Sequence, residues 1–294
     1  MNYPKISIVT PSYNQGQYLE ETILSVLGQG YLNLEYLIYD AASTDNSVDI
    51  IKKYQKDISF WVSEKDNGQA DAINKGFTKA TGEILMWLNS DDILMPNVLH
   101  YIAAQYIEKG DGIYFGNCIH FKESLNGNLL ARGSNVKASF NSIPLELADT
   151  IIQPSSFWSK KVWLKNGNLA DNFHFGFDWE WFLRAKVKNI PFYPIDKVIS
   201  IYRIHDAHKS GVGGKKRQEE LLEVYKLYSI KYATLYELVR NQNFNISFIE
   251  KIVLRICNLL YRKGVSKVKF IKMLNYKKYK LYSTHEIKTI KGML

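Results

Sequence analysis

Ile6-Ser7-Ile8-Val9-Thr10-Pro11-Ser12-Tyr13-Asn14 is the stretch on which the fold reading turns. A β-branched run closed by a proline reads as a short buried strand. The residues that follow change period: Leu19, Ile23, Val26 and Leu27 recur at helical spacing. Working outward, residues 34–39 read as a second strand and 58–62 as a third. Between them, 43–54 carries Val48, Ile50, Ile51 and Tyr54 on a helix, with Ser43 or Thr44 as its cap. A third helix is expected over 70–80, ended by Gly82. A strand over 84–88 then runs into Asn89-Ser90-Asp91-Asp92. Such alternation, with short connections, implies an α/β fold in which helices cover both faces of a parallel sheet. Ligands of such sheets sit at the carboxyl ends of the strands. Thr10-Pro11-Ser12, Asp40 and Asp91-Asp92 all fall at such ends.

Composition narrows the class. The chain has 294 residues, 46% of them apolar and 23% charged, which excludes a disordered, fibrous or disulfide-stapled protein. No window offers the ~18 uninterrupted apolar residues of a membrane span. The N-terminus is read as lacking a signal peptide. Cys118 and Cys257 match no framework or metal spacing, so a reducing, cytoplasmic setting is expected. The net charge of +9 is uneven. Residues 211–294 hold 18 Lys and Arg against 6 acids, leaving 20 bases against 23 acids in residues 1–210. Two units are therefore expected: 1–210, with halves near 1–110 and 111–210, and a basic helical extension over 211–294. In the extension, 218–239, 248–260 and 265–281 read as amphipathic helices. They suit an anionic membrane surface or a solvated bundle packed on the first unit. No nucleic-acid motif accompanies the charge.

Adjacent carboxylates after a strand repel unless a cation neutralises them, and hard oxygen donors suit Mg²⁺ or Mn²⁺. The competing reading is that Ser90-Asp91-Asp92 caps a helix beginning near Pro96.

Several ordered motifs favour the first reading. The opening stretch with Leu19-Glu20-Glu21-Thr22-Ile23-Leu24-Ser25-Val26-Leu27-Gly28-Gln29 resembles the family 2 glycosyltransferases. Asp40-Ala41-Ala42-Ser43-Thr44-Asp45 resembles their Asp-Asp-Gly-Ser-Thr-Asp segment, and Asn89-Ser90-Asp91-Asp92 stands at their Asp-x-Asp-type motif. The resemblance covers about residues 5–210. It implies a GT-A fold, inversion at the sugar, a divalent cation (Mn²⁺ or Mg²⁺), a nucleotide-sugar donor with UDP the leading choice, and a saccharide acceptor that many relatives carry on polyprenyl diphosphate. An enzyme of surface polysaccharide synthesis, peripheral at the inner face of the cell membrane, is the corresponding expectation.

By the same resemblance, Asp92 is the main metal ligand, Asp91 supports it at the donor, and His205 of Tyr202-Arg203-Ile204-His205 ligates the metal or touches the diphosphate. Thr10, Pro11, Ser12 and Tyr13 would shape the base pocket, with Tyr13 as a plain rim aromatic the alternative. Asp40 would contact base or ribose, taking over from the family's second Asp, which here is Ala41; the usual Gly is Ala42. Asp71 and Asn74 share a helix face and are assigned to the donor or, alternatively, to solvent. Arg203, with Lys209 in a loop folding over the donor, would screen the leaving diphosphate. Gln153-Pro154 resembles a segment beside the acceptor and alternatively reads as a Pro-bent edge strand. Asp178, at the head of Phe177-Asp178-Trp179-Glu180-Trp181-Phe182-Leu183-Arg184, is the expected catalytic base; Glu180 is the alternative base, and a helix cap the alternative role. A non-catalytic sugar-nucleotide-binding protein remains the rival, distinguished by no need of Asp178. A dinucleotide oxidoreductase is disfavoured because Pro11-Ser12-Tyr13-Asn14-Gln15-Gly16 lacks the Gly-x-Gly-x-x-Gly turn.

Overall fold

The computed structural model describes residues 3–123, 129–205, 214–242 and 281–294. It contains two compact units: Met1–Ser142 with Thr150–Arg217, and Ile143–Asp149 with Gln218–Leu294. The division falls close to the charge boundary, but 143–149, expected in the 111–210 half of the first unit, belongs to the second unit.

The first unit is built on one nine-stranded sheet. Its strands are β1 (Ile6–Ser12), β2 (Leu34–Asp40), β3 (Phe60–Ser63), β4 (Ile84–Trp87), β5 (Ile93–Leu94), β6 (Ile113–Glu123), β7 (Leu129–Gly133), β8 (Ser156–Ser159) and β9 (Phe192–Ile204). They run in the order β3-β2-β1-β4-β8-β6-β9-β5, with β7 on β6. β3, β2, β1 and β4 are mutually parallel. β8 then joins β4 and β6 antiparallel, and β6 pairs β9 in parallel. The crossovers from β1 go one way to β2 and β3, then back to β4 on the other side of β1. That reversal opens a crevice at the carboxyl ends.

Every residue of β1 is buried, as a central strand covered on both faces requires. Ile6 and Ile8 join Leu19, Ile23 and Val26 of α1 (Gly16–Leu27), and Val98, Leu99 and Ile102 of α4 (Val98–Lys109), in one core. α3 (Gln69–Lys79) covers the other face, where a Cβ on Gly76 would lie 2.4 Å from Val9 Cγ1. On that side Trp87, Trp158 and Trp181 pack in series, with centroids 5.2 and 4.8 Å apart. They carry α6 (Lys160–Asn166) and α7 (Phe177–Val187). α7 is held in place by Asn166, which donates to the Trp181 carbonyl at 2.9 Å, and by Trp181 Nε1, which donates to the Gly167 carbonyl at 2.8 Å.

Several local expectations are corrected. Pro11 does not close β1, which continues to Ser12 because its edge still pairs with Tyr39 and Asp40 of β2. α2 (Ser47–Tyr54) starts after Asn46, not Ser43 or Thr44, since those side chains are drawn elsewhere. α3 ends at Ala80; Gly82 instead lets the chain approach β1, its N–H donating to Ser7 Oγ at 2.8 Å. Gln153-Pro154 is no edge strand but a buried 3₁₀ turn, Gln153–Ser155, leading into the internal strand β8. Residues 129–142, which carry no clear period in the sequence, hold β7 and α5 (Val136–Ser142).

In the second unit, the helix expected over 218–239 is two: α8 (Gly214–Tyr228) and α9 (Ile230–Gln242), broken at Ser229. A last helix, α10 (Thr284–Met293), opens with a Ser283–Glu286 capping box. Leu221, Val224, Tyr225, Leu235, Tyr236, Ile287 and Ile290 form the unit's buried set. The Tyr225 hydroxyl donates to the Leu147 carbonyl at 2.8 Å, tying 143–149 to this unit. The helices expected over 248–260 and 265–281 lie outside the described residues, apart from Leu281. His208, Lys209 and residues 211–213 also lie outside them. No helix among the described residues is long and apolar enough to cross a membrane.

Candidate functional site

A cleft of about 850 Å³ opens at the carboxyl ends of β3, β2, β1 and β4 and extends to the head of α7. Pro11, Ser12, Tyr13, Asp91 and Asp178 line it together. The structure therefore brings both ends of the expected chemistry into one cavity, although β4 and α7 are far apart in sequence.

The acid pair is reversed from expectation. Asp91 lines the cleft, and its Oδ2 lies 3.0 Å from His205 Nε2. Asp92 does not line it: it is 1% exposed, and its Oδ2 accepts from Asn89 Nδ2 at 3.1 Å. The cause is the turn after β4. The Asp92 N–H bonds the Asn89 carbonyl at 3.1 Å, and Thr22 Oγ1 donates to the carbonyls of Ser90 and Asp92. This pins consecutive carboxylates in opposite directions. Burial, together with the charge of Asp91, pushes the Asp92 carboxyl well above the usual carboxylate range. Its Oδ1 is buried without a hydrogen-bond partner among the described residues.

His205 and Arg203 sit at the end of β9. The His205 ring lies on Tyr18 at 4.6 Å, and the Arg203 guanidinium over the same ring at 4.8 Å. Arg203 pairs with Glu21, and its Nε donates to the Asp91 carbonyl at 3.2 Å. Arg203 does not line the cleft; it holds the backbone of Asp91.

Four further expected donor residues do not reach the cavity. Thr10 is fully buried, its hydroxyl 3.1 Å from that of Tyr36. Asp40 is 2% exposed. It accepts from the Ser43 N–H at 2.9 Å, from Ser43 Oγ at 2.5 Å and from Ser63 Oγ at 2.6 Å. It braces the 40–43 bend and ties β2 to β3. Asp71 accepts from the Asn67 N–H and pairs with Lys75, each at 3.0 Å. Asn74 is bound to the backbone of Leu169, donating at 3.0 Å and accepting at 2.9 Å. Its amide crosses from α3 to the loop before α7, a tertiary contact that helix spacing cannot reveal.

Asp178 stands in the first turn of α7 behind the cap residue Gly176 and lines the cleft, so it is not the helix cap. Glu180 is buried and ion-paired with Arg184 at 2.8 Å, which withdraws it as a base. Sequence reading missed several lining residues: Lys65 and Asp66 after β3, His120 and Tyr202 on β6 and β9, and His174 and Phe175 before α7. It also missed an amide relay. Gln69 Nε2 donates to Asn89 Oδ1 at 2.7 Å, Asn89 Nδ2 to Gln153 Oε1 at 3.3 Å, and Gln153 Nε2 to the Trp87 carbonyl at 2.8 Å. The Gln153-Pro154 motif was the one sequence signal for it.

Among the described residues no three His, Cys, Asp or Glu side chains cluster as a metal cage. The Asp91–His205 pair still fits a shared cation. Asp91 offers an oxygen donor at the cleft wall and His205 a nitrogen donor directly behind it, and phosphate oxygens and waters complete such shells.

Fold and cleft together define the GT-A-like class of α/β proteins. The family model described as glycosyl transferase family 2 matches residues 7–177, and the chain belongs to that family. Relatives include glycosyltransferase GlyG of Streptococcus pneumoniae serotype 4, 37% identical over 126 residues, 42% of each chain. Another is the GalNAc(5)-diNAcBac-PP-undecaprenol beta-1,3-glucosyltransferase of Campylobacter jejuni, 28% identical over 247 residues, 81% of this chain and 75% of that protein. The match thus spans under half the length of GlyG. Among solved structures, S. aureus TarS 1–349 in complex with UDP-GlcNAc superposes with a TM-score of 0.60 at 17% identity, covering 98% of this chain and 90% of that one. The mannosyltransferase PcManGT of Pyrobaculum calidifontis, in complex with GDP-Man and Mn²⁺, gives 0.58 at 15% identity, covering 100% and 74%. At these identities the likeness concerns the fold.

Proposed function

We propose that the protein is an inverting glycosyltransferase that moves a sugar from a nucleoside-diphosphate donor, UDP first among them, to a hydroxyl of a saccharide acceptor in polysaccharide biosynthesis. The observation that carries this reading is the shared cleft: Asp91, with His205 beside it, and Asp178 face one cavity of about 850 Å³. Asp178 accepts the acceptor hydroxyl proton as that oxygen attacks the anomeric carbon from the face opposite the nucleotide. The bond to the diphosphate oxygen breaks through an oxocarbenium-like state, and negative charge collects on the diphosphate. Asp91 and His205 would hold a divalent cation, which supplies Lewis-acid stabilisation of that charge when bound. Arg203 and Tyr18 keep the pair in register. The two solved neighbours bound to nucleotide sugars, one with Mn²⁺, support a donor and cation of this kind.

An acceptor carried on polyprenyl diphosphate is the second part of the proposal. The C. jejuni relative is named for an acceptor on undecaprenol diphosphate, and the basic extension suits an anionic surface.

Asp178→Asn is the test. Transfer should fall by about 10²–10⁴-fold, while nucleotide binding, read by calorimetry, stays within a few-fold. Unchanged turnover would remove Asp178 as the base. Binding without any transfer by the wild type, across a panel of donors and acceptors, would favour the non-catalytic reading.

A further inference from the structure

We infer that Asp66 reads the Watson–Crick edge of the donor base and selects bases that present a ring N–H. The inference rests on the nucleotide-sugar reading of the cleft and adds a specificity residue to it.

The argument begins with direction along the sheet edge. Asp91 follows β4, and Asp178 lies beyond it, so the reacting end of the donor is at the β4 side. The sheet order β3-β2-β1-β4 sets the opposite end of the cleft three strand spacings away, roughly 14 Å at about 4.8 Å each. A nucleoside extending from a diphosphate at β4 crosses Ser12 and Tyr13 at β1 and places its base near the ends of β2 and β3.

At that end the polar groups are few. β2 supplies Ala41 and Ala42, which have no hydrogen-bonding side chain. Asp40 is turned under the bend, with three donors on its carboxylate. Thr44 is tied through its N–H to Asn14 Oδ1 at 2.8 Å. The loop after β3 contributes Lys65 and Asp66, a neighbouring cation and anion that both line the cleft. Asp66 Oδ1 accepts from the Gly68 N–H at 2.9 Å, which orients the carboxylate. The described residues give its Oδ2 no hydrogen bond.

An ionised carboxylate only accepts. It matches uracil or thymine through N3–H, and guanine through N1–H and the 2-amino group. Cytosine N3 and adenine N1 set a lone pair against the carboxylate at the same place, leaving only the exocyclic amine to donate to it, and that amine faces the Lys65 ammonium where the favoured bases carry a carbonyl. The Lys65 ammonium beside it is a donor for the exocyclic carbonyl that accompanies the ring N–H in all three favoured bases. Discrimination of this kind is strong because a mismatched base leaves a polar group unpaired.

The test measures binding of UDP, dTDP, GDP, CDP and ADP, each with Mn²⁺, to the full chain and to Asp66→Asn. Asparagine keeps an oxygen for the Gly68 N–H, so the turn survives, and a thermal melt checks folding. The wild type should bind its best ligand among UDP, dTDP and GDP, with CDP and ADP weaker by about tenfold or more. Asp66→Asn should narrow the UDP-to-CDP ratio by about tenfold, since an amide can pair with both N3 and the 4-amino group of cytosine. A wild type that favours CDP or ADP, or a variant that keeps the full ratio, overturns the inference. If Asp66→Asn does not fold, Lys65→Met serves in its place, and an unchanged preference for the carbonyl-bearing bases overturns the pairing. Failure of every nucleotide to bind the wild type defeats the underlying reading instead, and this inference with it.

Discussion

Asp40 shows how a residue at the right place can have the wrong direction. It ends β2 beside the cleft, yet the described bonds of its carboxylate run inward to Ser43 and Ser63. Neutral donors that converge on a buried carboxylate are stranded when it is removed, at about 1–3 kcal/mol and more where the lost group is charged. Asp40→Ala should therefore cost about 2–3 kcal/mol, a fall of roughly 5–10 °C in Tm for a unit of this size. A thermal melt checks it. A direct contact to the base would produce the converse, unchanged stability with lost nucleotide affinity. The neighbouring Ala42 has φ 55, in the left-handed region. The bend that a glycine would adopt freely is here held by the Asp40 bonds, which is a second reason to expect the cost at Asp40 to be large.

Between elements, Glu35 does comparable work at the opposite end of the sheet. From β2 it accepts from Ser7 of β1 at 2.5 Å, from the Thr81 N–H and hydroxyl at 2.7 Å, and from Lys5 at 3.0 Å. Burial opposes its ionisation, but those bonds outweigh it and lower its pKa from 4.5 to about 2. The folded value is thus the depressed one. Its contribution is full above 4.5, declines as pH falls, and is gone near pH 2. Compared by denaturant melts, wild type and Glu35→Gln should differ by about 2 kcal/mol at pH 7, with the gap closing toward pH 2. A gap independent of pH would show that the carboxylate's charge is immaterial.

The same elements mark what the sequence reveals. β1 to β4 and α1 to α3 are legible because each pattern is local, connections are short, and β1 and β4 are buried along their whole length. The start of β6 is legible in the apolar run Ile113-Tyr114-Phe115, but its pairing with β8 and β9 is not, because the partners are distant: His120 lies opposite Tyr202 and Ile113 opposite Trp158. Strand ends locate the cleft, but periodicity carries no information about a side chain's direction beyond the strand. That is why Asp91 and Asp92 exchange places, why Asn74 proves to be a brace, and why Asp66, in a loop with no periodic signal, goes unnoticed. The place of Asp178 at the cleft is legible because a family motif, not a period, marks it.

For the molecule as a whole, charge is the organising quantity. The chain's +9 divides into about −3 over residues 1–210 and +12 over 211–294. The cleft is built from residues of the slightly acidic 1–210 stretch. The positive charge belongs to the extension, whose helices expose Leu227 and Ile230 at 64% and 75% and whose turn before the last helix exposes Leu281 at 74%. The Tyr282 hydroxyl donates to the Lys231 carbonyl at 3.2 Å, which brings Leu281 to the Ile230 end of α9. Apolar side chains among lysines suit an anionic bilayer, where each basic residue near the surface contributes about 1 kcal/mol. Such attraction is screened as the Debye length shrinks from about 8 Å at physiological salt to about 3 Å at 1 M. The protein should therefore float with vesicles containing phosphatidylserine and remain behind with neutral ones, and raising the salt to 1 M should release most of it. Replacing Leu227 and Ile230 by Asp should weaken flotation at low salt as well, because insertion of apolar surface is the part that salt does not screen. Equal flotation with neutral vesicles would mean that charge has no part in binding. No flotation with either would leave the +12 without a membrane role and return the extension to a solvated bundle.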